Sequence, residues 1–252
     1  MRILLIISLF LMSSWGWADT TTALRVNDND WPPYFFGGKE GAPQGIGKEL
    51  LQHCLGKSGH QFQFSFYPIN RMHKYMETGQ LDINIYSFTR ERSEFLLYGK
   101  EPLFTAGYRP FVRATETKQI RKLNDFDSLL LGHLHGLRYS KDFRQYMEAR
   151  RASGQLVIAS DTKSLLSLLI HNRIDVFVSI TDTIWWQAKS MQLENQIKAL
   201  DYDVKTSEYF VTLSKQSDRV KSKETFMDKL DNCIRAAKKT GIYQAILNRY
   251  TP

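Results

Sequence analysis

Arg92 closes the run Leu81-Asp82-Ile83-Asn84-Ile85-Tyr86-Ser87-Phe88-Thr89-Arg90-Glu91-Arg92, whose residue types suit capture of an anion. Ile83 and Ile85 alternate with polar residues and predict a short strand, after which the chain turns through Ser87 and Thr89. Hydroxyl donors beside a guanidinium match a planar carboxylate, which arginine holds through two parallel hydrogen bonds. The competing reading is an exposed arginine paired with Glu91 or Glu94. Thr89, one turn earlier, either donates to a ligand or caps the turn that carries Arg92.

Other residues invite chemistry less specifically. Arg71, in Pro68-x-x-Arg71, begins a helix, where the dipole opposes a cation; it either meets a second anionic group or is solvated. His133 and His135 share one face of an extended segment, but no third metal ligand is identifiable, and no metal or other cofactor is expected. Ser160-x-x-Lys163 and Lys239-Thr240-Gly241 match fragments of penicillin-recognising enzymes. Ser160 and Asp161 read instead as a helix cap, and Gly241 as a helix stop, where those enzymes need a strand. Gly-x-Ser-x-Gly and phosphate-binding glycine loops are absent from the sequence. No enzyme is expected on these grounds.

The elements that must position Arg92 alternate. Strands over 24–28, 62–67 and 82–86 are separated by helices near 47–57 and 70–78, each stopped by a glycine (Gly59, Gly79). That is a βαβ pattern with a parallel sheet. A second unit repeats it, with strands at 129–132, 157–158 and 174–178 and helices at 139–151 and 162–171. A strand over 207–213 and helices near 216–239 and 241–249 complete the chain.

Met1 to Ala18 read as a secretory signal: Arg2, an apolar run over 3–12 and a small-x-small site at Gly16-Trp17-Ala18. That run is too short to span a bilayer. The formal charge is +8, or +7 once Arg2 is removed, but the basic residues are scattered among acids. Export and that scatter exclude nucleic acid as the expected partner. Cys54 and Cys233 lie on apolar faces of expected helices. An oxidising compartment allows a bridge, and two unpaired core cysteines are the alternative.

The order strand, Asp28-Asn29-Asp30-Trp31-Pro32-Pro33-Tyr34, Gly45-Ile46-Gly47-Lys48-Glu49, Gly79-x-x-Asp82, Thr89-Arg90-Glu91-Arg92 resembles the family 3 periplasmic solute-binding proteins, receptors for polar amino acids that serve ABC importers. The resemblance implies a type II periplasmic-binding α/β fold: two lobes, each a sheet flanked by helices, with two crossing hinge strands near 109–114 and 203–208. Lobe one would hold 19–110 and 207–252, and lobe two 111–206. It makes Arg92 the carboxylate clamp, assisted by Ser87 and Thr89, and Trp31 an aromatic wall. Asp28 sits where some members use an acid for a basic ligand side chain. In lobe two, Gly136-Leu137-Arg138 replaces the family's hydroxyls, which offers Arg138 and Tyr139 as substitutes. The acid that usually holds the α-ammonium is Ile180 here, and Asp182 lies two residues on. The expected ligand is a small carboxylate-bearing solute, an amino acid or a related polar compound; with three arginines expected near the cleft, the alternative is an anionic ligand with extra negative charge or without the ammonium. The implied protein is a monomeric periplasmic receptor whose partner is an ABC permease or a sensor kinase. The alternative on the same fold is a cyclohexadienyl dehydratase type of enzyme using Asp28 or Asp182 for proton transfer.

Overall fold

Leu24–Asn27 (β1) buries Leu24 and Val26 and pairs in parallel with Phe62–Ser65 (β2) on one side and Ile83–Ser87 (β3) on the other. The computed structural model describes residues 23–37, 44–135, 137 and 139–250. The secretory signal expected over 1–18 and Arg138 lie outside the described residues. Ile46–Leu55 (α1) and Ile69–Thr78 (α2) make the two crossovers, so the expected βαβ order is present.

Leu96–Arg113 forms one long strand, β4. The second unit follows: Leu131–Leu134 (β5), Lys141–Ala152 (α3), Leu156–Ala159 (β6), Thr162–Ile170 (α4), Val176–Ile180 (β7) and Thr181–Ser190 (α5). Short Ile197–Ala199 (β8) pairs with β4, and Lys205–Ser214 (β9) returns through both units. Lys223–Lys239 (α6) and Ile242–Leu247 (α7) end the described chain.

The strand order is β2-β1-β3-β9-β4-β7-β5-β6. β9 runs antiparallel to β3 and β4, and β7 antiparallel to β4, so the pair β4–β9 joins two otherwise parallel half-sheets. This is the two-lobed α/β architecture. β4 meets β9 from Leu96 to Tyr108, then β7 from Tyr108 and β8 from Phe111. Residues 109–113, read from sequence as a crossing, are therefore already paired within the second half-sheet. The strand N-terminal to them went unread because Gly99, Pro102 and Gly107 look like breakers. Register shifts between Tyr98 and Phe104 accommodate Pro102, as bulges allow. Residues 216–222, expected as helix, instead form a loop that brings Ser217 and Arg219 to buried Asp82.

Among the described residues no helix is long and apolar enough to cross a membrane. Cys54 of α1 and Cys233 of α6 form a disulfide with Cα atoms 5.6 Å apart, which resolves the alternative left open by sequence. The bridge joins residues 179 apart, so in the loop-entropy description it stabilises by up to about 5 kcal/mol. Reduction, or Cys54→Ser with Cys233→Ser, should lower the melting temperature by roughly 10 °C. Two titratable thiols in the unreduced, denatured protein would contradict the pairing.

Candidate functional site

The carboxyl ends of β1 and β3 and the crossing pair β4–β9 meet at one edge of the sheet, where open α/β folds place ligands. Trp31-Pro32-Pro33-Tyr34-Phe35 turns tightly there, with a cis Pro32–Pro33 bond and the Trp31 N–H donating to Phe35 O at 2.7 Å. Gly45 follows at φ 115°, and a Cβ there would meet Tyr34 O at 2.4 Å. A Cβ on Gly47 would meet the Phe35 and Phe104 rings at 2.5 and 2.8 Å. These two glycines let α1 start directly against the turn.

The turn delivers rings to the crossing strands. Tyr34 stacks on Phe104 of β4 at 4.1 Å, and Phe104 stacks on Tyr209 of β9 at 5.2 Å. Half-buried Trp31 lies edge-on to Tyr209 at 4.8 Å. Phe104, Tyr34 and Tyr209 were not singled out from sequence, because only the β4–β9 register sets Phe104 beside Tyr209.

Arg92 begins a 3-10 turn, Arg92–Glu94, just past β3. Its guanidinium lies 4.8 Å from the centroid of the Tyr86 ring and donates to Ser87 O at 3.0 Å. Its own N–H donates to Thr89 Oγ1 at 3.3 Å, so Thr89 caps the turn. Among the described residues no ion pair joins Arg92 to Glu91 or Glu94. The half-buried guanidinium keeps donors to spare beside a cavity of about 500 Å³ lined by Asn70, His73, Lys74, Glu77, Glu91 and Phe95. Arg71 is exposed in the first turn of α2 and does not line this cavity.

The acids are committed elsewhere. Asp28 Oδ2 accepts from Lys48 Nζ at 2.7 Å, and Lys48 is buried with its ammonium 5.0 Å from the Phe64 ring. Asp182, in the first turn of α5, accepts from Tyr34 Oη at 2.6 Å across the two half-sheets. Burial pushes the Asp182 carboxyl above the usual range, opposed by the Tyr34 hydrogen bond. Beside it Trp186 packs on Phe36 and Tyr250 at 5.2 and 5.8 Å. Ile180 is buried and pairs with Tyr108. Tyr139 is buried too, its hydroxyl donating to Val178 O at 2.9 Å. It is held in the core of the second lobe, with no hydroxyl hydrogen left for a ligand. Half-buried His133 lies 3.3 Å from that hydroxyl, and His135 is exposed. Among the described residues no three His, Cys, Asp or Glu side chains gather as metal ligands.

With its folded pKa raised, Asp182 favours the folded state in acid and loses that advantage as pH rises through the folded value. Above it the carboxylate depends on Tyr34. Tyr34→Phe should therefore cost about 1–3 kcal/mol at about pH 8 and less at about pH 4, where more of the carboxyl is protonated. Denaturant melts at both pH values test this; an equal cost would contradict it.

The model of the bacterial extracellular solute-binding proteins, family 3, matches residues 25–252. Among solved structures, substrate binding domain 2 of Lactococcus lactis GlnP, in an open conformation, is 17% identical. Its TM-score is 0.68, and the match covers 91% of this chain and 94% of that one. A histidine kinase sensor domain with similarity to periplasmic binding proteins is 18% identical, with TM-score 0.64 and coverage of 91% and 96%. The ancestral amino acid-binding protein AncCDT-1, a precursor of cyclohexadienyl dehydratase, is 17% identical, with TM-score 0.63 and coverage of 91% and 95%. At these identities the likeness speaks for the fold alone. Comparison with curated protein sequences gave no match. The family model spans nearly the whole chain over a shared two-lobed fold, so this chain belongs to the family 3 bacterial extracellular solute-binding proteins.

Proposed function

We propose that this protein is an exported receptor that captures a small carboxylate-bearing ligand between its lobes and presents the closed form to an ABC permease or a sensor kinase. The observation that carries this reading is Arg92: a half-buried guanidinium without an acidic partner, fixed by Ser87 O and the Tyr86 ring at a strand's carboxyl end. An arginine held this way has lost most of its rotamer freedom before the anion arrives, so less is lost on binding. Trp31 and Tyr209 supply the apolar wall. The mechanism is conformational: a ligand touching both lobes stabilises their closed arrangement.

The ligand of this reading lacks an α-ammonium. Ile180 stands where an acid would be needed, the charge of Asp28 is balanced by Lys48 although its Oδ1 has no partner among the described residues, and Asp182 already holds Tyr34. Desolvating an ammonium against these groups would cost more than it returns. Keto acids and simple carboxylates fit better than zwitterions. Both the transporter domain and the kinase sensor domain among the similar structures are compatible with this output.

The test is a thermal-shift panel of amino acids, their keto-acid counterparts and simple carboxylates on the purified protein. A ligand at about 100 times its dissociation constant adds roughly 2.7 kcal/mol, a rise of several degrees. Keto acids should shift the melt, and Arg92→Ala should abolish the shift. Tighter binding of an ordinary zwitterionic amino acid would overturn the ligand class, and turnover of prephenate or arogenate would move the protein to the dehydratase type.

A further inference from the structure

The cavity beside Arg92 holds a second basic group. His73 of α2 stacks on Tyr86, ring centroids 5.4 Å apart and planes at 18°, so His73 and Arg92 both lie about 5 Å from one tyrosine ring. Tyr86 Oη donates to Met72 Sδ at 2.8 Å and lies 2.7 Å from His73 Nδ1. Which of Tyr86 Oη and His73 Nδ1 donates depends on the His73 tautomer. In either tautomer one ring nitrogen of His73 remains able to take up a proton. Burial and the neighbouring Arg92 guanidinium both hold His73 below the usual histidine range.

We propose that this cavity is a subsite for a second anionic group of the ligand, with His73 as its proton-dependent partner beside Arg92. The ligand class is then a small dianion such as a dicarboxylate, held more tightly in acid. The inference rests on the reading of Arg92 as the carboxylate anchor. The remaining charged side chains on this wall sum to one negative charge. Lys74 and Glu77, on the same helix, pair at 3.1 Å, and Glu91 is the further acid on the wall. Tyr86 stays neutral, its hydroxyl pushed up to about 12. In the empty cavity burial, and after it the charge of Arg92, oppose protonation of His73. An entering dianion reverses that balance, because its second carboxylate favours the imidazolium. Binding and proton uptake become coupled.

Calorimetric titration with fumarate and with 2-oxoglutarate, both ionised above about pH 6, tests this against crotonate as a monoanion of similar body. The dianions should bind roughly tenfold more tightly at about pH 6 than at about pH 8, and crotonate should show little change. His73→Gln should flatten the dependence. In the unmodified protein, the His73 ring followed by NMR should titrate at higher pH with fumarate than without. Dianion binding that is indifferent to pH, or a His73 pKa unmoved by fumarate, would overturn the subsite and leave Arg92 as anchor. Binding that survives Arg92→Ala would overturn both.

Discussion

Both lobes depend on one antiparallel strand pair. β4 and β9 hydrogen-bond to each other through the middle of the sheet, and each half-sheet attaches to one of them: β3 to β9, and β7 with β8 to β4. Phe104 and Tyr209 are direct partners across the β4–β9 pair, and Tyr108, the last β4 residue paired with β9, is the first paired with β7. A ligand that touches Trp31 and Tyr209 therefore touches the structure through which the two lobes are related.

Around this axis the polar groups are sorted by whether they are already satisfied. Asp28 with Lys48, Asp182 with Tyr34 and Asp82 with Arg219 are paired, while Asp28 Oδ1 and Arg219 Nε are buried without a hydrogen-bond partner among the described residues. Burying any of these charges without its partner would be costly. Arg92 differs. Its contacts are a carbonyl and a ring, neither of which neutralises a full positive charge. A cation held in place without its counter-ion is the arrangement that rewards an incoming carboxylate.

Local elements were readable from sequence wherever period and punctuation agreed. β1, β2, α2 and α4 lie within a residue or two of their expected bounds, and Asp161 caps α4 by accepting from the Ser164 N–H. β4 was not readable, because glycine and proline within it are absorbed by bulges that depend on β9 and α6. Asp231 of α6, for example, accepts from the N–H groups of Lys100 and Glu101 beside Gly99. Among the candidate residues, Arg92, Trp31, Tyr34 and Lys48 lie in the motifs that carried the resemblance. Tyr209 and His73 carried no such signal, since their roles come from partners far away in the chain or from a stack that no periodicity encodes. Cys54 and Cys233 were visible as candidates, but only the packing of α1 on α6 brings them within bonding distance.

The most direct test of this account is a crystal structure of the protein with the carboxylate that stabilises it most. The account predicts a carboxylate oxygen pair within about 3 Å of the Arg92 guanidinium nitrogens, with Trp31 and Tyr209 against the ligand body. A ligand bound elsewhere, with Arg92 still resting only on Tyr86 and Ser87 O, would contradict it.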